Sequence, residues 1–248
     1  SPGIAHIGVG NFHRAHQALV IDRLLRAGQA QDWGIRGIAL LPSDEALARS
    51  MQDQGGLYTL IEKHADGTWD YRVIGSILDV LFAPDDVDAA IEALADPRIR
   101  IVSLTITEGG YNFDRLTGEF MLDTPAVAKD LQRSDLPTTV FGVVTEALAR
   151  RCARDLPAFT VMSCDNIQHN GDVAKTMFAA FAKAWDADIA EWIEDNVSFP
   201  NSMVDRITPV TTPADADVVS EAIGWTDRCP VLCEPFFQWV VEDNFPTG

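Results

Sequence analysis

The chain has 248 residues, 47% of them hydrophobic and 23% charged, enough apolar content for one large core and the mark of a globular protein. A net charge of −18 argues against nucleic acid or an anionic membrane surface as a partner, since both require clustered Lys and Arg. No apolar run reaches the roughly 18 residues of a membrane span and no signal-like segment opens the chain, so the expected location is the cytoplasm.

The apolar run Ile4-Ala5-His6-Ile7 leads into Gly8-Val9-Gly10-Asn11-Phe12-His13-Arg14-Ala15-His16 and then an amphipathic stretch over 17–27. Strand, glycine turn and helix in this order can bind a dinucleotide pyrophosphate. The glycines bring the backbone close to the phosphates, and the helix start offers free N–H groups and its positive dipole end. The third glycine of the usual pattern is His13 here, and an ordinary strand-to-helix turn is the alternative reading. Residues 33–41 predict a second buried strand, with Pro42-Ser43-Asp44 starting a helix over 45–52.

Residues 58–62 and 71–74, joined across His64-Ala65-Asp66-Gly67, predict an antiparallel hairpin inserted into the parallel pattern. Pro84-Asp85-Asp86 starts a helix reaching Leu94, and 99–106 is the next strand, ending at Thr107-Glu108-Gly109-Gly110. A helix over 140–154 precedes a strand over 160–162 that runs into Ser163-Cys164-Asp165-Asn166, with helices following over 172–185 and 187–196. Such alternation predicts an α/β fold, a Rossmann-like, doubly wound and mostly parallel sheet. The polar clusters at 8–11, 43–44, 107–110 and 163–166 all fall at strand carboxyl ends, where these sheets bind ligands.

Asp44, after the second strand, can accept from adenosine ribose hydroxyls and repel the extra phosphate of NADP; capping the next helix is its alternative role. Asp32 has the more usual spacing but precedes the strand, at the wrong edge. Glu108 can move protons, or is a surface glutamate. Asn166 and His169 lie where an amide can donate to a substrate oxygen, with helix capping by Asn170 as the alternative. Asp205-Arg206 reads as either a site acid or a buried ion pair. Cys152, Cys164, Cys229 and Cys233 have neither Cys-x-x-Cys spacing nor nearby histidines, so they are expected to be reduced and packed and no metal is expected. The remaining histidines, such as His64 beside the turn Ala65-Asp66-Gly67, read as surface residues.

Five segments carry a resemblance: the block from Gly8 to His16, Leu104 to Tyr111, Ser163 to Gly171, Pro200 to Pro209, and Cys233-Glu234-Pro235-Phe236 with Gln238-Trp239-Val240. In this order and along the whole chain they resemble the polyol-specific long-chain dehydrogenases, the mannitol dehydrogenase family. The resemblance implies zinc-independent, NAD-linked oxidation of a polyol secondary alcohol to a ketose, mannitol to fructose being the type, with a sugar alcohol or ketose as small-molecule partner. It implies that Gly8, Val9, Gly10, Asn11 and Phe12 hold the cofactor and that Asp44 faces the ribose. It also implies that Asn166 polarises the reacting oxygen, Glu108 carries protons towards solvent and Asp205 is an acid beside the substrate. Ser43 stands where the family often has an acidic residue, which leaves NADP open.

The family's base is a lysine in a Lys-x-x-x-x-Asn-x-x-His stretch of a C-terminal helical domain. None of Lys63, Lys129, Lys175 and Lys183 has those partners. With Ser1 in place of an initiator Met and an apolar segment just before its end, the chain is expected to be a piece of something longer. Residues 1–248 are therefore expected to be the N-terminal dinucleotide-binding domain, ending where the absent catalytic domain begins, and inactive alone. A hexuronate reductase of the same family, acting on fructuronate or tagaturonate, and a non-catalytic dinucleotide-binding module are the other readings, and oligomeric state stays open.

Overall fold

The computed structural model describes residues 1–246; the last two positions of the expected domain, Thr247 and Gly248, lie outside them. Strand β1 (Pro2–Ile7) leads through helices α1 (Asn11–Ala15) and α2 (Gln17–Arg26) to β2 (Gly34–Ala39), a 3-10 turn (Pro42–Asp44) and α3 (Glu45–Asp53). The hairpin β3 (Tyr58–Lys63) and β4 (Trp69–Ile74) precedes β5 (Ile77–Phe82), α4 (Val87–Ala95), β6 (Ile101–Leu104) and the short α5 (Thr107–Gly110). Next come α6 (Pro125–Leu131), α7 (Val140–Ala153), β7 (Thr160–Ser163), α8 (Asn170–Trp185) and α9 (Ala187–Asn196). The chain closes with β8 (Ser202–Asp205), α10 (Pro213–Ile223), β9 (Val231–Cys233) and β10 (Gln238–Val241).

The central sheet has the order β5-β2-β1-β6-β7 and every pairing in it is parallel. Strand β1 is buried at all six positions, as a strand covered on both faces must be. One face carries the aromatic core of Phe141, Phe178 and Phe181 under α4, α7 and α8. The other packs Leu19 of α2 and Met51 of α3 against Ile4 and Ile35. This is the doubly wound, Rossmann-like fold, and it orients the carboxyl ends of all five strands towards one edge.

Helix starts follow local chemistry. The Asp86 carboxylate accepts from the Ala89 amide at 2.9 Å to cap α4, and Thr212 with Asp215 forms a reciprocal capping box on α10. The first helix differs from expectation: it opens at Asn11, directly on the glycine turn, and breaks at His16 (φ −117, ψ −93) before α2 begins.

Three features of the strands also differ. Strand β5 adds to the expected pattern, and Gly75-Ser76 alone separates it from the hairpin. The hairpin stands outside the central sheet and pairs in parallel with β9, Leu60 opposite Val231, in a separate three-stranded sheet. Strands β8 and β10 form an antiparallel ribbon of their own. Among the described residues, no helix is long and apolar enough to cross a membrane.

Candidate functional site

A cleft of about 1060 Å³ opens at the carboxyl edge of the sheet, lined by Gly8, Gly10, Leu41, Asp44, Thr107 and Thr139 among others. Gly8 has φ +96, and a Cβ there would fall 2.2 Å from the Thr105 carbonyl oxygen. Only glycine lets the ends of β1 and β6 approach this closely. Thr105 Oγ1 donates to the Gly8 carbonyl at 2.7 Å and fixes the approach. At Gly10 a Cβ would meet only the Gly8 carbonyl, at 3.8 Å, so a ligand can rest directly on the backbone. Val9 is buried, its methyl close to where a Cβ on Gly37 would stand. The first amides of α1, directly after this turn, have no intrahelical partner.

His13 occupies the third glycine's place by stacking on the ring of His6, centroids 3.4 Å apart and planes 11° apart. The His6 ring bonds Ser103 Oγ at 2.8 Å and Thr105 Oγ1 at 2.9 Å, and the Ser103 hydroxyl donates onward to Gln17 Oε1 at 2.7 Å. Burial pushes His6 down to about 3 and His16 down to about 4, and holds His13 well below the ordinary histidine range. A neutral imidazole platform thus supports the glycine turn.

Asp44 stands at the start of α3 but makes no side-chain cap hydrogen bond to that helix. Its Oδ2 accepts from the Leu41 amide at 3.1 Å and closes the 3-10 turn, while Oδ1 makes no hydrogen bond among the described residues and the side chain lines the cleft. Asp32 is paired with Arg100 at 3.0 Å beside the amino-terminal end of β1. The far wall of the cleft, residues 124–127 and 138–141, carries no sequence motif. Asp130 organises it by accepting from the Thr139 hydroxyl at 2.6 Å and amide at 2.8 Å.

The remaining named residues lie outside the cleft lining. Asn11 is tied to Arg14, which donates to its Oδ1 at 2.7 Å, and Phe12 stacks on His16 with centroids 4.8 Å apart. Glu108, on α5, is 56% exposed and 3.6 Å from Arg115. Asn166 is exposed in the turn after β7 and Asp205 is exposed at the end of β8. The expected buried Asp205–Arg206 pair does not form: Arg206 is wholly buried but pairs with Glu62, and donates to the carbonyls of Ala15 at 2.7 Å and Glu234 at 2.8 Å.

Asn170 is likewise not a helix cap. It is buried, donating to the Ser163 and Asp165 carbonyls at 3.2 and 3.0 Å and accepting from the Ser202 amide at 2.8 Å. Asn201 caps α8 from a distance, its Oδ1 accepting from the Gly171 and Asp172 amides at 2.9 and 3.2 Å. His169 and His64 sit towards the surface, beside Asp172 and Asp70. All four cysteines are free; three are buried and Cys152 is half-buried.

Sequence reasoning missed Asp165. Its carboxylate accepts from the Thr107 amide at 2.7 Å, the Ile106 amide at 3.2 Å and the Tyr111 hydroxyl at 2.8 Å. Burial raises its pKa above the usual carboxylate range against the pull of these hydrogen bonds. The available signal is an acidic residue two positions past the end of an apolar strand.

The family profile described as the mannitol dehydrogenase Rossmann domain matches residues 2–248. A polyol:NADP oxidoreductase of Gluconobacter oxydans is 49% identical over all of this chain and 51% of its own length. A mannitol 2-dehydrogenase of Pyrenophora tritici-repentis is 49% identical over 99% of this chain and 44% of its own. The ternary complex of Pseudomonas fluorescens mannitol 2-dehydrogenase with NAD and D-mannitol superposes with a TM-score of 0.96 at 50% identity, covering all of this chain and 50% of that one. The chain thus spans about half the length of the relatives it matches.

Proposed function

Since this chain belongs to the mannitol dehydrogenase family through its Rossmann domain, we propose that it is the cofactor-binding half of an NAD-dependent polyol dehydrogenase that oxidises a secondary alcohol to a ketose, as in mannitol to fructose. One observation carries the reading: Gly8, Gly10 and Asp44 line a single cleft at the carboxyl edge of a parallel sheet. The fit to a dinucleotide is physical. The position where a Gly10 Cβ would stand is open, and Oδ1 of Asp44 is free to accept.

In this proposal Gly8, Val9, Gly10, Asn11 and Phe12 form and support the pyrophosphate turn, and Asp44 accepts from the adenosine ribose. Bound NAD supplies the hydride acceptor. The Asn166 amide donates to the reacting oxygen and stabilises the charge that grows there, Glu108 passes the alcohol proton towards solvent, and Asp205 faces the polyol. The exposure of all three side chains suits residues that meet a substrate and a second domain. Residues 1–248 then form one dinucleotide-binding domain, and the general-base lysine belongs to a C-terminal catalytic domain, consistent with relatives about twice as long. NAD is the proposed cofactor and NADP the alternative, because Ser43 contributes no negative charge beside Asp44. A sugar alcohol or its ketose is the partner and the cytoplasm the proposed location, in keeping with four free cysteines.

The test is initial rates of the full-length protein with NAD and mannitol, arabinitol or sorbitol, and of the reverse reaction with fructose and fructuronate. Polyol oxidation with NAD is the expected result. Activity on fructuronate alone would replace the substrate assignment, and NADH binding with no turnover of any of these would replace the enzyme by a binding module.

A further inference from the structure

Thr107 is a β-branched residue with φ +64, a backbone region that such side chains avoid and that persists only where neighbours over-determine it. Its surroundings do so from two sides. On one, the Thr105 amide donates to the Ile7 carbonyl at 3.0 Å and the Thr105 hydroxyl to the Gly8 carbonyl at 2.7 Å, binding the exit of β6 to the glycine turn. On the other, the buried Asp165 carboxylate takes the next two amides, Ile106 at 3.2 Å and Thr107 at 2.7 Å.

Asp165 is itself held on every side. The Tyr111 hydroxyl donates to it at 2.8 Å from the far end of α5, its own amide donates to Ser163 Oγ at 3.3 Å, and its carbonyl accepts from the Ile167 amide at 2.8 Å and from Asn170 Nδ2 at 3.0 Å. One carboxylate therefore grips both ends of the segment that bears Glu108, while its backbone neighbour is Asn166.

We infer that Asp165 is a positioning residue which sets Glu108 and Asn166 in one frame relative to the glycine turn, by clamping the strained Thr107 backbone to the turn after β7. The inference rests on the roles proposed above for Glu108 and Asn166. Neither side chain is anchored strongly on its own, since among the described residues Glu108 has only its exposed contact with Arg115 and Asn166 is exposed. Their placement comes from the backbone, and the backbone at 106–107 is set by Asp165. Misplacement of a reacting group by about 1 Å can cost roughly 100-fold in rate.

The experiment is a double-mutant cycle in the full-length protein between Asp165→Ala and Glu108→Gln, reading kcat, polyol KM and NADH affinity. Asp165→Ala is expected to lower kcat roughly 10- to 100-fold with NADH affinity within about threefold, and the double variant to be little worse than the weaker single variant. Asp165→Asn, which keeps one acceptor, should recover part of the loss. Tyr111→Phe removes one donor without opening the core and keeps the test alive if Asp165→Ala does not fold; it should show a smaller kcat loss with the same non-additivity. Multiplying losses, or unchanged kcat in Asp165→Ala, would overturn the positioning role. Unchanged kcat in Glu108→Gln itself would instead fault the role given to Glu108, and the inference with it.

Discussion

The proposed cofactor cleft and the proposed catalytic residues are built in opposite ways, although Glu108 and Asn166 follow strands of the same sheet edge that the cleft occupies. The cleft is made of backbone and apolar wall: Gly8 pressed on Thr105, Gly10 open, Asp44 on the rim, and neutral histidines packed beneath. The proposed catalytic residues are polar side chains facing outward, with Glu108 56% exposed and Asn166 and Asp205 exposed. A dinucleotide can be held by shape and amides that one domain completes alone. Acid–base chemistry requires a dry, closed site, of which these three side chains would, in the proposed reading, supply one wall.

The comparison is broken most directly by assaying the two halves separately. The 248-residue chain should bind NADH yet oxidise mannitol at least ~10²–10⁴-fold more slowly than the full-length protein, the usual cost of a missing general base. Robust turnover by the isolated chain would place the base within it.

Within the full-length protein, Asn166→Ala should lower kcat by about 10²–10³-fold, because an oxyanion donor acts mainly in the transition state. Cofactor affinity, measured by NADH fluorescence, should change far less; a loss of equal size in both would erase the division between the two regions.

Gly8→Ala should do the reverse. Its Cβ would fall 2.2 Å from the Thr105 carbonyl at φ +96, so a stability loss of about 2–4 kcal/mol and weakened NADH binding are expected in thermal or chemical denaturation. A variant with unchanged midpoint and affinity would show that the turn tolerates a side chain.

Acid sharpens the same contrast. Unfolded histidines take up protons near 6.5, whereas in the fold His16 does so only at about 4 and His6 at about 3. The unfolded state therefore binds more protons in between, and stability from the neutral rings is complete above pH 6.5 and lost as pH falls towards 4 and 3. Each ring contributes up to ~1.4 kcal/mol per pH unit. Equilibrium unfolding between pH 7 and 4, followed by circular dichroism, should show this slope, and His16→Gln should flatten it.

The smallest effect is at the rim. Asp44→Ala should reduce the preference for NADH over NADPH by about five- to tenfold, near 1 kcal/mol, because one oxygen stays committed to the Leu41 amide and the carboxylate is only half-buried. Equal affinity of the unaltered chain for both cofactors would remove Asp44 from the ribose site.

The alternation of strands and helices, the glycine turn at Gly8 and Gly10, and the position of Asp44 after the second strand can all be read from the residues alone. The sequence places α9 to the residue and α7 to within one. These are local matters: apolar periodicity, proline and glycine punctuation, and caps act within a few positions. Tertiary structure decided the rest. Strand β9 is three residues long and finds β3 across most of the chain, Leu60 opposite Val231, a pairing no local pattern encodes. Arg206 takes Glu62 rather than its neighbour Asp205, Asn201 rather than Asn170 caps α8, and Asp165 reaches Thr107 and Tyr111. In each case a buried polar group had to find a partner in a low-dielectric interior, and which partner it found depended on what the packed sheets brought within 3 Å.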